Sequence, residues 1–146
     1  MDQEKMELMI KADPKNESFA RAVVGAFVSR LNPTLEQLSD IQTAVSEAVT
    51  NCVVHAYRNG AGDIRLICEM DRSNIKISVI DHGCGIPDLK RAREPFYTTC
   101  PEMERSGMGF TIMEAFMDSI EVESRIGEGT TVVLEKDLSA TEDDVN

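Results

Sequence analysis

Apolar and polar residues alternate from Glu4 to Ala12, with Met6, Leu8, Ile10 and Ala12 on one side. That two-residue period predicts a strand. Asp13-Pro14-Lys15-Asn16 ends it. From about Glu17 to Leu31 the period lengthens, with Phe19, Val23, Ala26 and Phe27 at helical spacing, and Asn32-Pro33 stops the helix. Thr34-Leu35-Glu36-Gln37 is a capping box, in which the Thr hydroxyl and the Gln side chain satisfy orphan backbone amides. The helix it opens is predicted to reach about Tyr57 on a buried stripe of Leu38, Ile41, Val45, Ala48 and Cys52, with Arg58-Asn59-Gly60 as its exit.

Two strands follow, Asp63 to Met70 and Asn74 to Asp81, joined by the polar turn Asp71-Arg72-Ser73. Cys84 to Ser106 has no period and contains Pro87, Pro95 and Pro101, and a loop of that length usually carries function. Helical spacing resumes at Gly107 and continues to about Asp118. A last hairpin pairs Ser119–Ser124 with Thr130–Lys136 across Ile126-Gly127-Glu128-Gly129. The predicted fold is an α/β two-layer sandwich, with a mixed, mostly antiparallel sheet and helices on one face. One domain is expected over residues 1–136, and an acidic, solvated tail over 137–146.

Composition narrows the function classes. The 146 residues carry a formal net charge of −11, which argues against direct binding of nucleic acid or of anionic membranes and favours a basic partner surface. The four cysteines, Cys52, Cys68, Cys84 and Cys100, show no Cys-x-x-Cys spacing, and only His55 and His82 are available beside them. That pattern suits reduced thiols better than a zinc site. The first residues lack a basic and apolar leader, and the longest apolar run, Ala22 to Val28, is too short to span a bilayer. A cytoplasmic location is expected.

Four segments hold candidate chemistry. Glu47 and Asn51 stand four residues apart on the long helix, so a carboxylate that takes a proton and an amide oxygen that ligates a hard cation share a face. Such a pair also suits an ordinary solvent-facing helix. Asp81-His82-Gly83-Cys84-Gly85 ends an apolar strand. A buried carboxylate there needs donors, such as an exocyclic amino group, and Gly83 and Gly85 admit a flat ligand; a plain turn is the alternative. Arg105-Ser106-Gly107-Met108-Gly109 opens a helix, where free amides, the positive dipole end and a guanidinium suit an anion, and where a bare glycine hinge would read the same. Gly127-Glu128-Gly129-Thr130 is first of all a hairpin turn. No Gly-x-x-x-x-Gly-Lys-Ser/Thr occurs, and neither glycine cluster is a dinucleotide fingerprint.

In their joint order these segments resemble the Bergerat ATP-binding fold of the GHKL superfamily. Ser46-Glu47-Ala48-Val49-Thr50-Asn51-Cys52-Val53-Val54-His55-Ala56-Tyr57 is most similar to the anti-sigma serine kinases, and the likeness runs from Glu4 to Lys136. The resemblance implies that Glu47 is the general base and that Asn51 holds Mg²⁺ against the phosphates of ATP or ADP. It implies that Asp81 accepts from adenine N6, with Gly83 and Gly85 shaping the pocket and Thr130 supporting it. Residues from about Ile86 to Ser106 would be a lid, with Arg105 on the terminal phosphate and Ser106, Gly107 and Gly109 around the phosphates. The implied function is to bind and inhibit a sporulation sigma factor of RNA polymerase and to phosphorylate an anti-anti-sigma protein on serine. A nucleotide-dependent sequestering module without kinase activity is the alternative. The resemblance also implies a homodimer through the first strand and helix, where Met6, Met9, Val24 and Phe27 serve either as contacts between copies or as core, and Arg21 is a candidate partner contact. Ser46 stands where histidine kinases commonly carry a His.

Overall fold

In a computed structural model, which describes residues 3–57, 62–86 and 109–139, the opening strand β1 spans Glu4–Lys11. Helix α1 (Lys15–Val28) follows and tightens into a 3₁₀ turn, Ser29–Leu31, that ends with Asn32 in the left-handed region at φ 51°. Its buried stripe is Ala20, Val24, Gly25, Phe27 and Val28, whereas Phe19 and Ala26 face outward. The expected stripe is therefore rotated, because small residues face the neighbouring helix. A Cβ on Gly25 would collide with the side-chain amide of Gln42, whose Nε2 donates to the Arg21 carbonyl at 3.2 Å. Val24 and Phe27 belong to the chain's own core, while Met9 is 61% exposed.

The capping box forms as its sequence predicts. Thr34 Oγ1 accepts from the Gln37 amide at 3.0 Å and Gln37 Oε1 accepts from the Thr34 amide at 2.9 Å, opening α2 (Leu35–Asn51). A π-helical turn, Cys52–Ala56, prolongs α2. Such turns interrupt the regular ladder and re-aim the side chains that follow. The expected exit Arg58-Asn59-Gly60 lies outside the described residues.

Strands β2 (Asp63–Asp71) and β3 (Asn74–Asp81), helix α3 (Gly109–Phe116), and strands β4 (Ser119–Arg125) and β5 (Gly129–Asp137) complete the order. Among the described residues the sheet runs β1-β2-β3-β5-β4 and every pairing is antiparallel. Among the described residues the parallel pairing that a mixed sheet would need does not occur. The reason lies in the last hairpin. β5 buries Thr130, Val132 and Leu134, whereas β4 buries no residue fully, so β5 takes the interior slot beside β3 and β4 becomes the edge.

Register places the apolar side chains in rows across one face. Leu8, Leu66, Val79, Val132 and Val122 form one row, and Met6, Cys68, Ile77, Leu134 and Ile120 form the next. Ile41, Val45 and Val49 of α2 and Met113 of α3 are fully buried with them, giving one layer of helices on one layer of sheet. Burial of this kind contributes about 25 cal/mol per Å² of apolar surface. Packing continues past the expected domain end at Lys136. Leu138 is buried, its carbonyl accepts from Gln37 Nε2 at 3.0 Å and its amide donates to the Ser73 carbonyl at 2.8 Å. Residues 140–146 lie outside the described residues. No described helix is long and apolar enough to cross a membrane.

Candidate functional site

The row at the end of the sheet face changes character. It reads Ile10, Ile64, Asp81, Thr130 and Ser124, so two apolar residues are followed by three polar ones. Asp81 is 5% exposed and Thr130 is 8% exposed. A buried carboxylate must meet donors. Asp81 Oδ1 accepts from the amides of Gly83 at 3.0 Å and Thr130 at 3.1 Å. Its Oδ2 accepts only from the Cys52 thiol, at 3.5 Å, among the described residues. A carboxylate oxygen has room for a second donor, so Oδ2 is the atom left to receive an amino group.

The backbone after Asp81 is held on both sides. A Cβ on Gly83 would strike the Ala56 carbonyl, and the Cys84 amide donates to that same oxygen at 3.0 Å, which seats the segment against the π-helical turn. Tyr57 Oη accepts from the His82 amide at 2.6 Å and donates to the Asp63 carbonyl at 2.8 Å. On the other side Gly85, at φ +80°, lies so close to the Arg125 carbonyl that no side chain fits. Ser124 Oγ accepts from the Ile86 amide at 2.7 Å and sits 2.7 Å from Thr130 Oγ1. Gly129, at φ +122°, packs directly on the Asp81 carbonyl. The glycines of two motifs are thus the points where the Asp81 segment and the β4–β5 hairpin touch backbone to backbone.

The other candidate pair lies on α2. Glu47 and Asn51 face the first residue of α3: a Cβ on Gly109 would come within 3.3 Å of Asn51 Oδ1 and 3.5 Å of a Glu47 carboxylate oxygen. Asn51 Nδ2 is buried without a hydrogen-bond partner among the described residues. The two ends of the site meet at consecutive residues, since Asn51 faces α3 and Cys52 touches Asp81. Glu47, Asn51, Asp81, Gly83, Gly85, Gly109 and Thr130 are accordingly brought around one end of the sandwich. Arg105, Ser106, Gly107 and the expected lid from 87 to 106 lie outside the described residues.

Burial pushes the Cys52 thiol well up, and the charge of Asp81 and its hydrogen bond raise it further, so the group stays a protonated donor. Burial likewise raises the Tyr57 phenol, against the opposing effect of the His82 amide. Sequence reasoning treated Cys52 as a core thiol and passed over Tyr57 and Ser124. Only Ser124 left a usable signal, because it stands opposite Thr130 in the predicted hairpin. The orphaned Asn51 Nδ2 is a donor that needs an acceptor, such as a phosphate oxygen, and only the Oδ1 of the same amide could ligate a cation. Mg²⁺ is commonly held by one or two protein oxygens plus phosphate and water.

Comparison with known proteins agrees with this fold. The family model for the histidine kinase-like ATPase domain matches residues 10–136. The chain is 48% identical over 143 residues to the anti-sigma F factor of Clostridium acetobutylicum, covering 98% of this chain and 100% of that protein. It is 50% identical over 135 residues to the anti-sigma F factor of Geobacillus kaustophilus, covering 92% of each. Among solved structures, the RsbU and RsbW domains of a Mycobacterium tuberculosis protein superpose with a TM-score of 0.67 at 22% identity, over 92% of this chain and 32% of that one. The catalytic domain of the histidine kinase ThkA gives 0.57 at 18% identity, over 92% and 96% of the two chains. These two likenesses concern the fold.

Proposed function

The chain belongs to the histidine kinase-like ATPase domain family and, within it, to the anti-sigma F factors, and from that premise we propose that it binds ATP and transfers the terminal phosphoryl group to a serine of an anti-anti-sigma protein. In the same reading it binds and inhibits a sporulation sigma factor of RNA polymerase in the cytoplasm and acts as a homodimer. The observation that carries the proposal is the meeting of Asn51, against Glu47 and the start of α3, with Cys52, against Asp81. An adenine amino group on Asp81 Oδ2 directs the phosphates toward α3.

Each residue then has a task. Asp81, held by the Gly83 and Thr130 amides, accepts from the base. Gly83 and Gly85 let the segment after Asp81 pack on the Ala56 and Arg125 carbonyls, which fixes the pocket wall, and Thr130 with Ser124 supports its edge. Glu47 accepts the proton of the attacking serine hydroxyl, a contribution of about a hundred- to ten-thousandfold. Asn51 would hold Mg²⁺, which when bound offsets charge on the phosphates. Gly109 leaves the first turn of α3 open beside them, and Ser106, Gly107 and Arg105 are assigned to the phosphates on the resemblance alone. Positioning and electrostatic stabilisation supply most of the rate in phosphoryl transfer. The exposed face of α1, which carries Arg21, is the candidate contact for protein partners, and Met9 on the open face of the sheet is available to a second copy.

Incubating the purified protein with γ-labelled ATP, Mg²⁺ and the anti-anti-sigma protein should yield phosphoserine on that partner, at a rate about a hundredfold or more lower with Glu47→Gln. ATP-dependent capture of the sigma factor with no phosphoserine would instead favour a sequestering module.

A further inference from the structure

We propose that Cys52 is a positioning residue for base recognition, its thiol holding the Asp81 carboxylate so that Oδ2 faces the amino group of the purine. The inference rests on the adenine reading of Asp81 and adds a residue that touches no ligand itself. Asp81 Oδ1 is fixed by two backbone amides, and rotation about the last side-chain bond is limited further only by what meets Oδ2. That atom has one described donor, Cys52 Sγ at 3.5 Å, and Cys52 is 3% exposed.

The chemistry of a thiol suits this task. It is a weak donor, so it orients an acceptor without saturating it, and an incoming N–H of the base can share the same oxygen. A hydroxyl or amide at this place would compete more strongly with the ligand. Cys52 continues α2 at helical φ −64° and ψ −44°, directly after Asn51, and opens the π-helical turn. That turn ends at Ala56, whose carbonyl holds Cys84. The base end and the phosphate end of the site are therefore linked through adjacent residues of one helix.

The test compares ATP with purine riboside triphosphate, which lacks the 6-amino group, on the full chain and on Cys52→Ala and Cys52→Val. Valine removes the donor while filling the space, so a cavity effect of alanine is separated from loss of the hydrogen bond. Titration calorimetry of the parent should show a clear preference for ATP. Both variants should lose about three- to tenfold of that preference, the scale of one modest hydrogen bond, with affinity for the amino-free triphosphate unchanged. Equal weakening of both triphosphates, or an unchanged ratio in the valine variant, would overturn the assignment. A parent that binds the two triphosphates equally would overturn the adenine reading itself, and the Cys52 role with it.

Discussion

Asp81 has two duties that substitution can separate. Its Oδ1 satisfies the amides of Gly83 and Thr130, and its Oδ2 is the proposed acceptor for the base. Asp81→Ala orphans two amides in a region where Asp81 itself is 5% exposed. At about 1–3 kcal/mol per orphaned group, the expected loss is about 2–6 kcal/mol. For a domain of this length that lowers the melting temperature by about 6–18 °C. Asp81→Asn keeps one oxygen for both amides but turns an NH₂ group toward the base, donor against donor. It should melt within about 3 °C of the parent yet bind ATP at least about a hundredfold more weakly. The assay is thermal melting by circular dichroism, without nucleotide and at an ATP concentration of about a hundred times the parent dissociation constant. There the parent should gain about 2.7 kcal/mol, whereas Asp81→Asn should keep only about 0.4 kcal/mol. If Asn destabilised the apo protein as much as Ala, the division of labour between the oxygens would be wrong. A full ATP-dependent rise in Asp81→Asn would remove Asp81 from base recognition.

Three further outcomes follow from the geometry. Glu47→Gln should retain ATP binding by calorimetry and lose about a hundred- to ten-thousandfold in phosphoserine formation; an unchanged rate at saturating ATP would exclude a general-base role. Gly129→Ala places a Cβ against the Asp81 carbonyl at φ +122°, and should destabilise the protein by about 2 kcal/mol or more in urea titration, with ATP affinity falling as the Asp81 segment shifts. An alanine variant as stable as the parent would mean that the close approach is relaxed in solution. Burial pushes the Cys68 thiol from 9.0 up to about 12. The folded protein then keeps a proton that the unfolded chain releases, so this stabilising contribution is fully present below about pH 9 and is lost as pH rises toward 12. Relative to Cys68→Val, the parent should lose about 1.4 kcal/mol per pH unit above 9 in urea unfolding; parallel pH profiles would contradict it.

Much of the fold was legible because local rules and global packing agree. Strict alternation set β1, β2 and β3, and the capping box fixed the start of α2 to the residue. Where they disagreed, tertiary contact decided. The stripe of α1 turned because Gly25 admits a close approach of Gln42 that a larger side chain such as Phe19 would block. The sheet order depended on which strand of the last hairpin was more apolar on its inner face, a comparison across strands that no single window contains. In the site, Glu47, Asn51 and Asp81 stood out as chemistry at positions that periodicity made meaningful. Cys52, Tyr57 and Ser124 did not, because a thiol on a buried stripe, a phenol after a helix and a serine in a strand look ordinary until register and the π-helical turn bring them to Asp81 and its loop.

Titration calorimetry of the parent protein with ATP in the presence of Mg²⁺ tests the central claim most directly, because both ends of the site must act on one ligand. The account predicts saturable binding of one nucleotide per chain, weakened by Asp81→Asn at the base end and, independently, by Asn51→Ala at the phosphate end. An absence of binding heat across several temperatures, or binding indifferent to both substitutions, would contradict it.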